Sequence, residues 1–395
     1  MSRRVGAGAA RVNDWLERRG DWLRDFRRDL HAHPELSWRE HRTTTVVFDA
    51  LSAAGLHPRR LSTTGLVCDL GPAGGPRVAL RADMDALPIH EATGLAYESG
   101  SAGVSHSCGH DAHTSILVGT ALALAEADAA EGLPVGVRLI FQPAEEVMPG
   151  GALSAVRDGV MEGVSRIYAL HCDPRIAVGK IGVRSGAITS AADHVEVILH
   201  SPGGHTSRPH LTSDLIYGMG TVITGLPGVL SRRVDPRSGT IMVWGAANGG
   251  SAPNAIPQIG ALHGTVRTGE HQVWATLEPL VRDIIEGLLA PLRLKHEVNY
   301  TRGVPPVIND HVAATRLAEA ARAVSPDGVV DTPQSGGGED FSWYLEESPG
   351  AMARLGVWSG QGRQFDLHQP DFVLDERALE MGVRVLTNVV FGSID

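Results

Sequence analysis

Three short apolar runs constrain this chain most strongly: RVAL at 77–80, VRLIF at 137–141 and RIYAL at 166–170. The stretch from about Ala112 to Ala127, between the first two, reads as a helix that is apolar over much of its surface. Strands alternating with helices imply a mostly parallel sheet covered on both faces. Polar groups follow each run at once. Asp83 and Asp85 follow the first, Glu145 and Glu146 the second, and His171 ends the third. Open α/β sheets bind ligands beyond the carboxyl ends of their strands. Three separate strand ends are therefore expected to deliver acidic and imidazole groups to one edge.

Upstream, Trp15, Leu16, Trp22, Leu23, Phe26 and Leu30 recur at helical spacing, and Pro34 forbids continuation. The residues before Asn13 read as a short frayed tail. Ser37 with Glu40 three residues later is a capping-box pattern for a second helix, with Gly55 as its stop. Both helices read as scaffold. From Ile188 to Arg302 the pattern changes to a strand (194–200), a helix (211–231), two strands (239–245, 261–266), a helix (270–289) and a strand (293–300). That β-α-β-β-α-β order is the split ferredoxin-like arrangement and reads as an inserted domain. The expected division is 1–187, 188–302 and 303–395. A helix near His311–Val324, the SGGGED segment and a strand around Met352–Val357 return to the first domain.

At 395 residues, with 43% hydrophobic and 20% charged residues, the chain has a globular composition and is long enough for two domains. A formal net charge of -10 disfavours a nucleic-acid backbone as partner. No apolar run approaches the ~20 residues of a membrane span, and no apolar segment follows Arg3 and Arg4 as in a secretory signal. Cys68, Cys108 and Cys172 offer no disulfide framework. A cytoplasmic protein is expected.

The sharpest local cluster is Ser107-Cys108-Gly109-His110-Asp111-Ala112-His113. Cys and His are ligands for zinc and other borderline cations, and Gly109 would let the backbone bend so that Cys108 and His110 face one ion. A capped helix start with a buried cysteine, or a cysteine nucleophile beside a histidine base, reads from the same residues. Glu145 and Glu146 repel each other unless a cation neutralises one; a solvated acidic loop is the plain alternative. His171 taken alone is a core histidine, His368 a surface one, and Cys172 structural. His205, Asn254 and Arg267 suit substrate handling, Arg for a carboxylate, although singly such residues are turn or surface positions. The glycines at 336–338 lack the lysine of a phosphate loop, and no glycine fingerprint for a nucleotide follows the first strand.

In order, DLHAHPELSWRE (29–40), RADMDALPI (81–89), HSCGHDAHT (106–114), FQPAEE (141–146), ALH (169–171), GGHTSRPH (203–210), NAIP (254–257), GTVRT (264–268), GGGEDF (337–342) and LHQPDF (367–372) form a set. This set resembles the amidohydrolases that include hippurate hydrolase, N-acyl-amino-acid aminoacylases and hydrolases of indoleacetyl-amino acid conjugates. The resemblance runs from residue 29 to the C-terminus. It implies an α/β catalytic domain with a mostly parallel sheet, two divalent metal ions (zinc or manganese, with cobalt or nickel as alternatives) and an inserted ferredoxin-like lid. Carried over, Cys108, His110, Glu146, His171 and His368 are metal ligands, with the Cys108 thiolate shared between the ions, and Glu145 is the general base. His205, Asn254, Arg267 and Gly338 would meet an N-acyl amino acid, and a homodimer through the lid is implied. A dipeptidase or carboxypeptidase-like activity, or a non-catalytic binder of acyl-amino acids, are the competing readings. Broader relatives have His-x-Asp where this chain has Arg81-Ala82-Asp83, so Asp83 and Asp85 are expected behind the ligands or as turn residues. Arg208 stands where many relatives carry a small residue or Met.

Overall fold

A computed structural model describes residues 2–392 and divides the chain into two compact units. The first comprises Met1–Ile188, Ile308–Pro333 and Asp340–Asp395; the second comprises Thr189–Val307 and Gln334–Glu339. The segment Gln334–Glu339, expected to return to the first domain, belongs to the second unit. It is tied there by hydrogen bonds: Ser190 N–H donates to the Gly337 carbonyl (3.1 Å), and the Gln334 side-chain amide donates to the Thr189 carbonyl (3.1 Å).

The first unit is built on an eight-stranded mixed sheet, parallel at its centre. Gly136–Gln142, Arg77–Asp83, Val164–Ala177 and Gly350–Trp358 are neighbours in that order, and all three pairings are parallel. Register sets the functional edge. Asp83 pairs with Gln142, and Arg81 with Ala169, so the ends of all three strands read from sequence lie level. His171 is not the end of its strand, which runs on to Ala177.

Helix α1 (Ser2–Ala32) extends through the stretch expected to fray. Gly8 makes this possible near its start, because a Cβ there would stand 2.6 Å from the Phe391 ring of the C-terminal helix Arg377–Phe391. Helix α2 (His41–Ala53) starts one residue after Glu40 and has no side-chain cap. Ser37 does not cap it, since its hydroxyl donates to Asp85 Oδ2 (2.7 Å). Helix α3 (His110–Glu131) is buried over most of its length. At Gly119 a Cβ would meet Val383 at 2.9 Å and Leu23 at 3.1 Å, so glycine lets α1, α3 and the C-terminal helix meet closely.

The second unit carries a four-stranded antiparallel sheet in the order Ile241–Gly249, Ile259–Thr268, Ala191–His200, Lys295–Val304. With helices Leu215–Arg233 and His271–Leu289 it gives the β-α-β-β-α-β order of a ferredoxin-like fold. A small ladder, Gly204–His205 with Ala255–Ile256, is added at one end. Among the described residues no helix is long and apolar enough to cross a membrane.

Arg81 shows how the functional edge is held. It is buried and donates to Asp83 Oδ2 (2.6 Å), Asp340 Oδ1 (2.8 Å) and Gln142 Oε1 (2.8 Å). Removing the cation while both carboxylates stay buried should be costly. Arg81→Leu is expected to destabilise the protein by about 3 to 5 kcal/mol in chemical denaturation. A loss well under ~1 kcal/mol would mean that this network contributes no more than an exposed ion pair.

Candidate metal centre

Cys108 and His110 reach the edge through one tight turn. Gly109 precedes α3 with φ +83°, in the left-handed region that favours glycine. A Cβ on Gly109 would stand 2.9 Å from Cys172 Sγ, so this position requires glycine for space as well as conformation. The two glutamates follow a second unusual turn, with Ala144 at φ +54°. Glu146 N–H then donates to Asp85 Oδ2 (2.9 Å). His368 is also left-handed, at φ +64°, and its N–H donates to the Ser107 carbonyl (2.8 Å), which ties the late loop to the Cys108 turn.

Five dispersed side chains converge as a result. The ligand atoms of Cys108, His110 and His171 lie within 4.8 Å of one another, and so do those of Cys108, Glu146 and His368. Cys108 is common to both trios. His110 Nε2 is 3.7 Å from Glu146 Oε1 and 4.0 Å from Glu145 Oε2. Cys108 Sγ is 3.7 Å from His171 Nε2, and His368 Nε2 is 3.4 Å from Glu146 Oε1.

The donor atoms suit cations. His171 Nδ1 donates to the Cys172 carbonyl (2.8 Å), and His110 Nδ1 faces Asp85 Oδ1 (3.3 Å). In each ring that leaves the Nε2 lone pair turned to the cluster, the arrangement a metal-binding histidine needs. His110 Nε2 and Glu146 Oε1 are buried without a hydrogen-bond partner, a cost that a bound cation would remove. Electrostatics agree. Burial, then Glu146, Glu145 and Asp83, push the Cys108 thiol well up. Burial would depress His110, but Asp83, Asp85 and Glu146 outweigh it and raise it to about 10. Positive charge is what this pocket lacks, and thiol, imidazole and carboxylate together form a donor set for borderline divalent ions.

Asp83 and Asp85 stand behind these groups. Asp83 Oδ1 accepts from His113 Nδ1 (2.6 Å), and His113 Nε2 accepts the Cys172 N–H (2.8 Å). His113 is thus engaged at both nitrogens. Its signal was the i, i+3 spacing from His110, which puts the two rings on one helix face. Nor is α1 mere scaffold. Asp111 Oδ2 receives Arg27 Nε and His31 Nδ1, both at 2.7 Å, and His31 Nε2 faces Glu91 at 3.0 Å. Burial and Arg27 push His31 down, but Asp111 and Glu91 outweigh them and its pKa is raised. Nothing local in DLHAHPEL singles out His31 for this buried role.

The remaining candidates lie in the second unit. His205 pairs with Ala255, and Thr206 N–H donates to the Asn254 carbonyl (3.2 Å), so His205 and Asn254 are neighbours. Arg267 is not with them. It pairs with Ala192 and donates to the Gly336 carbonyl, two residues from Gly338, whereas Ile259 at the other end of its strand pairs with His200. Eight residues of strand span about 26 Å. Within one chain Asn254 and Arg267 therefore lie toward opposite ends of the four-stranded sheet. Arg208 is exposed beside His205.

The profile of peptidase family M20/M25/M40 matches residues 79–391. A Rhodococcus jostii protein named putative glutamate–cysteine ligase 2-3 is 54% identical over 92% of this chain, which spans only 46% of that relative. The N-acetyl-L-cysteine deacetylase of Bacillus subtilis is 38% identical, with 90% of this chain and 84% of the relative covered. Among solved structures, the Bacillus subtilis YXEP protein, a dinuclear metal-binding peptidase from the M20 family, superposes with a TM-score of 0.82 at 32% identity over 97% of this chain and 99% of its own. The chain belongs to peptidase family M20/M25/M40, and its α/β architecture, its converging donor set and its sequence all lead to that one assignment.

Proposed function

We propose that this family member hydrolyses the amide bond of N-acyl amino acids, with Cys108, His110, Glu146, His171 and His368 holding two divalent ions. The observation that carries the reading is the pair of donor trios sharing Cys108, with Glu145 alongside but outside both. Glu145 is in neither of these trios, and its carboxylate, 4.0 Å from His110 Nε2, is close enough to the donors to take a proton from a water held there. Two bound cations, zinc or manganese before cobalt or nickel, supply Lewis-acid charge at the amide and make the hydrolytic water easier to deprotonate. Glu145 takes the proton from that water at its carboxylate and later delivers it to the leaving amine. The name of one relative, an N-acetyl-L-cysteine deacetylase, favours cysteine as the amino acid released.

The test is amino-acid release from N-acetyl-cysteine, other N-acetyl and N-benzoyl amino acids, and dipeptides, by apo-protein reconstituted with each ion. Preference for dipeptides would favour the peptidase reading, and no release from any N-acyl amino acid would end ours. Glu145→Gln is expected to keep its metals and lose about 10² to 10⁴ in kcat. Cys108→Ala should lower metal content, and chelation should abolish activity. Activity that survives chelation but not thiol alkylation would instead make Cys108 a nucleophile.

We also propose a homodimer through the second unit. The edge strand Ile241–Gly249 leaves Ile241 and Val243 about half exposed, which supports pairing with a second copy. His205 and Asn254 would then serve one active site and Arg267 with Gly338 the other. Mixing inactive Glu145→Gln and His205→Ala proteins should regain up to about a quarter of wild-type activity if the histidine acts across subunits. No recovery after confirmed subunit exchange would oppose that arrangement.

A further inference from the structure

We propose that Glu40 is a positioning residue, whose buried carboxylate fixes the turn that aims Glu145 and Glu146. The inference rests on the roles given above to those two glutamates.

Glu40 is fully buried, with 0% exposure. Its Oε1 accepts two backbone N–H groups, from Trp38 (3.1 Å) and from Ala144 (2.8 Å), the residue immediately before Glu145. Its Oε2 accepts the Thr64 hydroxyl (2.6 Å). Both backbone donors are left-handed non-glycine residues, Trp38 at φ +66° and Ala144 at φ +54°. Such conformations persist only where surrounding contacts over-determine them. At Ala144 the contacts are visible on both sides: Glu40 takes its N–H, and its carbonyl accepts from Gly151 N–H (2.9 Å). A second carboxylate stitches the same two loops, because Asp85 Oδ2 accepts from both Ser37 Oγ (2.7 Å) and Glu146 N–H (2.9 Å). Without an acceptor at Oε1 the buried Ala144 N–H is unpaired and nothing on that side holds the left-handed turn. Relaxation toward an ordinary backbone swings Glu145 and Glu146 together, moving the proton-transfer group and one donor of the Cys108–Glu146–His368 trio.

The experiment compares Glu40→Ala, Glu40→Gln, Ala144→Gly and the E40A/A144G double variant by steady-state kinetics and by metal titration with elemental analysis. Glu40→Ala is expected to lose on the order of 100-fold in kcat, as an ångström-scale misplacement does, with KM changing less. Affinity for one of the two ions should fall about 10- to 100-fold. Glu40→Gln keeps an oxygen for both N–H groups and should stay within about tenfold of the parent. Glycine adopts the left-handed turn without strain, so Ala144→Gly should restore part of the kcat and ion affinity lost in the Glu40→Ala background. If Glu40→Ala does not fold, Glu40→Asp, which keeps the charge and withdraws the oxygens by one methylene, is expected to show the same losses and the same recovery. Unchanged kcat and ion affinity in Glu40→Ala, beside an inactive Glu145→Gln, would overturn the proposal and leave the hydrolase reading standing. Losses that Ala144→Gly does not recover would also overturn it, reducing Glu40 to a contributor to stability. An inactive parent protein would instead discredit the reading of the site, and the metal titration would still decide whether Glu40 governs ion binding.

Discussion

Negative charge crowded at the ends of parallel strands is the constraint on which the first unit is organised. Asp83, Asp85, Glu145, Glu146 and the Cys108 thiol gather around His110, and Asp83, Asp85 and His110 are almost wholly buried. Such a cluster is unfavourable unless cations neutralise it. Behind the site the chain supplies positive charge of its own, where Arg81 serves Asp83 and Asp340, and where Arg27 and His31 serve Asp111. In front, His110 Nε2 and Glu146 Oε1 are buried without a hydrogen-bond partner, and both residues belong to the donor cluster. This division between carboxylates neutralised behind and donors crowded in front rests on geometry alone.

The same division explains what could be read from the sequence. The three strand runs, the β-α-β-β-α-β insert and the Cys108–His110 turn rest on local periodicity and spacing, which a linear pattern carries directly. The level edge follows from them, because parallel strands with buried faces leave little freedom of register. His31, Arg27 and Glu91 were not legible. Arg27 and His31 reach Asp111 80 to 84 residues away through the packing of α1 against α3, and His31 reaches Glu91 across 60 residues. Glu40 was legible in the wrong sense. Three residues after Ser37 it satisfies the local rule for a capping box, but a tertiary contact overrode that rule and took both side chains elsewhere. The segment Gln334–Glu339 was misassigned for a related reason: glycine-rich chain has no periodicity to show which unit it joins.

Backbone strain maps onto the site as well. Among the described residues four non-glycine positions have positive φ, and three of them, Trp38, Ala144 and His368, belong to loops that carry or contact the donor cluster. The fourth, Arg293, caps a short helix in the second unit. Each of the three is restrained by a hydrogen bond: Trp38 by Glu40 two residues on, Ala144 by the same carboxylate from a distant loop, and His368 by Ser107. Strain held in this way costs of order 1–3 kcal/mol per residue, and a chain under selection for stability alone would relieve it with glycine. Alanine and tryptophan at these positions restrict the loops to one arrangement once the acceptors are present, which glycine would not do. The ligand geometry therefore depends less on the rigidity of the strands than on a few buried acceptors that make an unfavourable backbone the best one available.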